Sequence, residues 1–428
     1  MKVLVVGGGS GGHITPAVAV IREMLEMKPR TRVEFWTDRK YYKNVVKITT
    51  EIGVSWGSQV QEINRRQPYI RVRRIWAGKF HRYAGWTWKD YFINFGTTLK
   101  DLVWGNITGL VGFTVGILQS FWRLVLPGKR PDVIFLKGGF VGLPVGLVAR
   151  LFRIPYVVHE SDAVPGLANR LLMKHAAVVA TGWDELKGVA DYVAVGIPVA
   201  AEFKVVSTNQ QKNLKKMFGF DPERSLVVVT GGRQGSLNID NAVKEILPEM
   251  LKFTSVGLVA GRKHYEDMVE LKKYEEWDKA KLQSNFRMWE FNSAMHELMG
   301  AADVVVSRAG ATTIAELAAL GKAVVLVPFE RLPGGHQTKN AERLHEKGAV
   351  AMVTDERMQQ QPGILLEEVR HLVRAPKERS ALAEKLHAEA KPDAAKSLAE
   401  IVLRVGEQKP DKNKSIKQEE VGQGAQQK

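Results

Sequence analysis

Val3-Leu4-Val5-Val6-Gly7-Gly8-Gly9-Ser10-Gly11-Gly12-His13 opens the chain. Four apolar residues in a row suit a strand buried on both faces, and the glycines suit a tight turn into a helix. From Leu4 on, the pattern returns 223 residues later as Val227-Val228-Val229-Thr230-Gly231-Gly232-Arg233-Gln234-Gly235. Two such starts predict two Rossmann-like domains, each beginning at its own first strand.

The segments between them fit that reading. Short β-branched runs stand at Val33–Trp36, Val133–Leu136, Tyr156–His159, Ala177–Ala180 and Tyr192–Val195. The second half has Leu226–Thr230, Val256–Ala260, Val304–Ser307, Ala323–Val327 and Val350–Val353. Helical patterns such as Pro16–Met27 and Thr312–Leu320 lie between the strands. Strands alternating with helices predict an α/β fold of parallel sheets covered by helices.

The expected boundaries are 1–198 for the first domain and 199–376 for the second, hinged near Gly196-Ile197-Pro198. Helices over 377–405 close the fold. The polar stretch 406–428, rich in Lys, Gln, Glu and Gly, reads as a disordered tail.

Composition removes several function classes. There are 428 residues and no Cys, which excludes a disulfide scaffold, Cys-ligated zinc, iron–sulfur clusters and a thiol nucleophile. No secretory signal precedes the first strand. The formal net charge is +16 and is unevenly spread: residues 1–200 hold 27 Lys and Arg against 14 Asp and Glu, whereas the remainder is nearly balanced. A basic N-terminal half points to an anionic partner: nucleic acid, a phosphorylated substrate or a membrane surface.

Residues 64–126 read as an insert in the first domain. Asn64 to Lys89 holds Arg65, Arg66, Arg71, Arg73, Arg74, Lys79, Arg82 and Lys89 with no acid, interleaved with Tyr69, Ile70, Trp76, Phe80, Trp86 and Trp88. Leu102 to Trp122 follows without a charge. Three readings stay open: a membrane span, a helix lying in a membrane interface, and a buried helix. The apolar run favours lipid over nucleic acid, since an RNA-binding arm has no use for it.

Polar residues then cluster where strands end. In the first loop Gly7, Gly9 and Gly12 satisfy a dinucleotide spacing, with Asp38 past the second strand, but the same loop suits any phosphate. His13 at the helix start stands where a general base belongs. Lys137-Gly138-Gly139-Phe140 and His159-Glu160-Ser161-Asp162 line the same edge. In the second half, Ser307-Arg308-Ala309-Gly310-Ala311-Thr312-Thr313 opens a helix whose amides suit a diphosphate. Glu316 lies one turn inside, in reach of ribose hydroxyls. The loop Gly334-Gly335-His336-Gln337-Thr338-Lys339-Asn340 faces the same cleft.

Six of these motifs in this order resemble the MurG family. They are Gly8–His13, Lys137–Phe140, His159–Asp162, Gly231–Gly235, Ser307–Ala311 and His336–Asn340. The resemblance covers about residues 1–405. It implies a GT-B arrangement, with the cleft between the two domains, and an inverting transfer of GlcNAc from UDP-GlcNAc. The acceptor is undecaprenyl-pyrophosphoryl-muramoyl-peptide, the setting peptidoglycan synthesis. The place is the cytoplasmic side of the cell membrane, bound peripherally to its anionic surface.

It also implies residue roles. Arg233, Gln234, Gly235, Ala311, Thr312, Thr313 and Glu316 hold the nucleotide, with Gln337 and Asn340 facing the sugar, and Asn292 and Asp162 are further substrate-binding candidates. Gly9, Ser10, Gly11 and Gly12 serve the acceptor side, and His13 is the base. No metal, cofactor or nucleic acid is expected, and no Asp-x-Asp stands in the sequence. The chain departs from the family pattern at Asp162 (commonly Asn), Ala200 (commonly Arg) and Arg233 (commonly Ser). The rival readings are another GT-B enzyme, either a glycolipid transferase or a UDP-GlcNAc epimerase, and a dinucleotide- or RNA-binding protein.

Overall fold

The computed structural model describes residues 1–57, 70–78, 80, 100–126, 128–186, 189, 191–232, 235–261, 264–266, 284–330 and 334–408. Two parallel sheets carry them. The first contains β1 (Lys2–Val6), β2 (Arg32–Thr37), β3 (Ile70–Arg74), β4 (Val133–Leu136), β5 (Tyr156–Glu160), β6 (Val178–Thr181) and β7 (Val193–Ala194). Its order is β3-β2-β1-β4-β5-β6-β7. The second contains β8 (Leu226–Thr230), β9 (Ser255–Val259), β10 (Phe286–Trp289), β11 (Val304–Ser307), β12 (Ala323–Leu326) and β13 (Ala351–Met352). Its order is β10-β9-β8-β11-β12-β13.

The central strands are Val-rich because both of their faces are covered. Val3, Val5, Val133 and Val157 face a cluster on one side of the first sheet, and Leu4, Val6, Ile134 and Val158 face another. The second sheet divides in the same way, with Val227 and Val304 on one face and Val228 and Val305 on the other.

Two strands escape the sequence reading, and both are edges. Strand β3 reads Ile-Arg-Val-Arg-Arg, and β10 reads Phe-Arg-Met-Trp. An edge strand needs fewer apolar residues and tolerates charge. Strand β3 corrects the reading of 64–126 as an insert, because part of that segment is sheet. Arg73 forms an ion pair with Glu34 of β2, and the Arg74 guanidinium lies over the Tyr42 ring at 4.3 Å. Arg65, Arg66, Tyr69, Lys79, Arg82, Trp86, Trp88 and Lys89 lie outside the described residues.

The uncharged run becomes the helix Asn106–Val125. Gly109, Gly112, Gly116, Ser120 and Leu124 recur every three or four residues and form its buried stripe. The glycines let the backbone of Trp76–Gly78 approach: a Cβ at Gly112 would stand 3.4 Å from the Gly78 backbone. Trp76 N donates to Gln119 Oε1 at 2.9 Å, and Arg123 Nη1 donates to the Arg74 carbonyl at 2.9 Å.

The opposite face of that helix carries Ile107, Leu110, Val111, Leu118 and Trp122, all exposed, and Trp104 is exposed in the turn of chain just before it. That corrects the reading of an ordinary buried helix. By length and composition Val103–Val125 is long and apolar enough to cross a membrane, yet one face is packed onto the first sheet's domain.

The closing helices divide between the two sheets. Helix Pro376–Ala388 stays with the second, where His387 Nδ1 lies 2.8 Å from the Ala318 carbonyl oxygen. Helix Ala394–Glu407 returns to the first, adding Leu398, Val402 and Val405 to its core. Gly406 packs on Val133 and Met1. The expected tail therefore starts too early, since Gly406 and Glu407 are helical. Residues 409–428 lie outside the described residues.

Candidate active site

Each sheet has a topological switch point, where consecutive connections leave in opposite directions and open a crevice at the strand ends. In the first sheet it lies between β1 and β4, so the Gly7–Gly12 loop meets the Lys137–Gly139 turn there. In the second it lies between β8 and β11, where Gly231 and Gly232 leave β8 beside Ser307–Gly310. The two crevices face one another: Thr312 Oγ1 donates to the Gly12 carbonyl at 3.2 Å across the cleft.

Two helices begin at this junction. Helix Gly11–Met27 has Ser10 as its N-cap, and helix Ala311–Leu320 has Gly310. Neither cap makes a side-chain hydrogen bond to its helix. Leading amides left without a side-chain cap form a positive helix end suited to an anion. One donor of the first loop is already taken, because Gly9 N donates to Asp38 Oδ2 at 2.5 Å. Tyr41 N holds the other oxygen at 3.1 Å. Asp38 thus closes the glycine loop rather than standing open for a ribose, which removes the structural basis of the dinucleotide reading.

His13, expected to project into the cleft, is half-buried and turned toward the β4 exit. Gly139 has φ +80°, and a Cβ there would stand 3.1 Å from His13 Cδ2. Glycine is needed at that position both for the left-handed backbone and for the ring. Burial, reinforced by the Lys137 charge, holds His13 down to about 3. The imidazole is therefore neutral at neutral pH and able to accept a proton.

Beneath it lies a buried polar cluster. Lys137 Nζ donates to Ser161 Oγ at 2.5 Å. Glu160 accepts from Asp162 N at 3.0 Å, Gly166 N at 3.0 Å and Asn169 Nδ2 at 2.8 Å. Burial, then the Asp162 charge, push the Glu160 carboxyl up, while those three donors hold it down.

The next residues clasp the second half of the chain. Asn340 Nδ2 donates to Asp162 Oδ1 at 3.0 Å, and Ala163 N donates to Asn340 Oδ1 at 3.0 Å. His336 Nδ1 lies 2.9 Å from the Val164 carbonyl oxygen. Asn340 is fully buried and also donates to the Ala309 carbonyl. Its side chain, expected to face the sugar, is spent on these contacts, and Asp162, a candidate substrate-binding residue, is its interdomain partner. Gln337 likewise has its amide oxygen occupied, by Phe329 N at 2.9 Å.

The second half contributes a cavity of about 290 Å³. Thr230, Gly232, Asn292, Thr313 and Glu316 line it, with Phe291 and His296. Thr15 reaches it from the first helix. The structure therefore gathers Asn292, Thr313 and Glu316, while Ala311 and Thr312 sit at the adjoining helix start. Asn292 Oδ1 accepts from Ala294 N at 2.8 Å, which sets its side chain. Gly235 has φ +74° and packs against the Ala260 carbonyl. Arg233 and Gln234 lie outside the described residues.

Arg308 braces this junction from below. Its Nη1 is 2.5 Å from Asp355 Oδ1 and its Nε 2.9 Å from Ser236 Oγ. Ser236 is the N-cap of helix Leu237–Met250, so Arg308 ties the β11 exit to the second glycine loop. Sequence reasoning missed Thr15, Phe291 and His296, which approach through folding and carry no local motif. It placed Lys137 at the strand edge but had no local signal for its burial.

Comparison with known proteins supplies the identity of this arrangement. Residues 3–181 match the glycosyltransferase family 28 N-terminal domain, and residues 226–398 match its C-terminal domain. A transferase of Moorella thermoacetica is 30% identical over 413 residues, covering 95% of this chain and 100% of the relative. Its name is UDP-N-acetylglucosamine--N-acetylmuramyl-(pentapeptide) pyrophosphoryl-undecaprenol N-acetylglucosamine transferase. The chain belongs to the MurG family.

A Bacillus pumilus MurG relative of the same name is 31% identical over 361 residues, 83% of this chain and 86% of its own. The crystal structure of Acinetobacter baumannii MurG superposes with a TM-score of 0.64 at 21% identity, over 94% of this chain and 99% of that one. A UDP-N-acetylglucosamine 2-epimerase shares the fold at a TM-score of 0.54 and 12% identity, over 96% of this chain and 99% of that one. The GT-B arrangement is therefore common to MurG and epimerases, and the near full-length MurG relatives separate the two. The chain is a glycosyltransferase.

Proposed function

We propose that this chain transfers GlcNAc from UDP-GlcNAc to the 4-hydroxyl of the muramoyl sugar in undecaprenyl-pyrophosphoryl-muramoyl-peptide, inverting the anomeric centre. The observation that carries the chemistry is the meeting of two helix starts without side-chain caps at Gly12 and Thr312. One end suits the donor's diphosphate and the other the acceptor's.

In this reading residues 1–198 form the acceptor- and membrane-facing domain and 199–376 the donor domain. Glu316 takes the ribose hydroxyls, and the amides of Ala311–Thr313 take the diphosphate, with Arg233, Gln234 and Gly235 beside it. Asn292 lines the nucleotide cavity. The loop Gly9–Gly12 takes the acceptor pyrophosphate.

A sugar hydroxyl is a weak nucleophile, so proton removal as it attacks lowers the barrier. His13 is unprotonated and receives that proton. An anionic acceptor head seated on the first helix start draws the imidazole's affinity for a proton up toward the working range. The hydroxyl oxygen bonds to the anomeric carbon as the bond to UDP breaks. The charge growing on the leaving diphosphate meets the second helix start. Clasping of helix His336–Glu346 by Asp162–Val164 holds the domains together and limits water access.

UDP release from UDP-GlcNAc, measured with and without the lipid acceptor, tests the reading. Acceptor-dependent release with a disaccharide product is expected. Acceptor-independent conversion of UDP-GlcNAc to its 2-epimer would overturn it in favour of an epimerase.

Attachment to the cytoplasmic face of the membrane belongs to the same proposal. The exposed row on helix Asn106–Val125, with exposed Arg71 and Arg74 on the adjacent edge strand, suits an anionic interface. Vesicles of anionic lipid are expected to bind the protein, with high salt weakening but not abolishing binding and alkaline carbonate extracting it. Changing exposed Leu118 and Trp122 to Glu should abolish vesicle binding and leave UDP binding unchanged. Reversing Arg71 and Arg74 should weaken it; Arg73 is left alone because it pairs with Glu34. Retention after carbonate would show a span instead.

A further inference from the structure

Lys137 is 1% exposed at the exit of β4, directly before the turn against which the His13 ring packs. A buried ammonium is stable only when charge and hydrogen bonds surround it. Ser161 Oγ accepts from it at 2.5 Å, and the Glu160 and Asp162 carboxylates act on it from β5 and the following loop. His13 of the first helix and His159 of β5 lie within its field. His159 Nε2 is 2.8 Å from the Gly196 carbonyl oxygen, at the crossing between the two domains. Asp38 stands on the far side of the glycine loop, bonded to Gly9. Asp162, in turn, holds Asn340 of the other domain.

We propose that Lys137 is a positioning residue: its buried cation balances Glu160 and Asp162, and so fixes both the turn beneath His13 and the loop that clasps the second domain. The carboxylate at 162, where the family commonly has an amide, is matched by this cation. The catalytic consequence rests on the reading of His13 as base; the charge cluster does not.

Burial brings Lys137 down to about 8, while the two carboxylates act to raise it. It is therefore charged at neutral pH. That charge adds to burial in keeping His13 unprotonated, so removing it must raise His13's affinity for a proton.

The test is a double-mutant cycle of Lys137→Met and Asp162→Asn. Lys137→Met alone leaves buried Glu160 and half-buried Asp162 without their cation and is expected to lower kcat about 10–100-fold, with the KM for UDP-GlcNAc nearly unchanged. Adding Asp162→Asn removes one of those charges and should restore about tenfold. The double variant also serves if the single one folds poorly.

The second readout is the His13 ring titration by NMR. The double variant should titrate roughly one unit higher than Asp162→Asn alone, since the two differ only in the lysine charge. An unmoved His13 titration, or strictly additive effects on kcat, would overturn the proposal. If His13→Ala keeps full turnover, the base reading fails while the shift and the coupling still decide the role of Lys137.

Discussion

Replacing His13 by Ala is expected to lower turnover about 10²–10⁴-fold, the contribution of a positioned general base. The ring sits at the β1–β4 switch point, against Gly139 and over the Lys137 cluster. UDP affinity should be unchanged, because the nucleotide cavity is built from Thr230, Gly232, Asn292, Thr313 and Glu316. The two measurements are steady-state transfer to the lipid acceptor and calorimetry with UDP. His13 is neutral down to about pH 3, so the free enzyme's kcat/KM should show no acid limb from this group between pH 5 and 8. A variant with near-normal turnover would remove His13 from the mechanism.

Glu316→Ala is expected to weaken UDP and UDP-GlcNAc alike by about 1–3 kcal/mol, roughly 5- to 150-fold in Kd. The residue lies one turn into helix Ala311–Leu320, half-buried, and lines the cavity beside Thr313 and Asn292. A carboxylate accepting two ribose hydroxyls contributes charged hydrogen bonds, which exceed neutral ones. Equal loss for UDP and the sugar nucleotide would place its contact on the nucleoside; loss for UDP-GlcNAc only would place it on the sugar. Unchanged UDP affinity would refute the ribose assignment.

Legibility in the sequence followed a physical gradient. Central strands such as Val3–Val6 and Val227–Thr230 were readable because burial on both faces demands an unbroken apolar run. Edge strands β3 and β10 were not, since one side meets solvent and arginines are tolerated there. Ile70–Arg74 therefore passed for a basic arm. The glycine loops and the helix starts were readable too, because a strand–turn–helix leaves a local composition.

The sequence by itself determined the two-domain α/β plan, the motif order that resembles the MurG family, and the placing of Glu316 one turn into a helix at the cleft. These are local patterns whose meaning does not depend on a distant partner. The tertiary structure alone decided pairings: Asp38 with Gly9, Asn340 with Asp162, and Lys137 with Ser161. It also decided that helix Asn106–Val125 buries its glycines and exposes Leu118 and Trp122. The reason is separation along the chain. Asp162 and Asn340 are 178 residues apart, and no pattern around either residue specifies which polar group folding will bring to it.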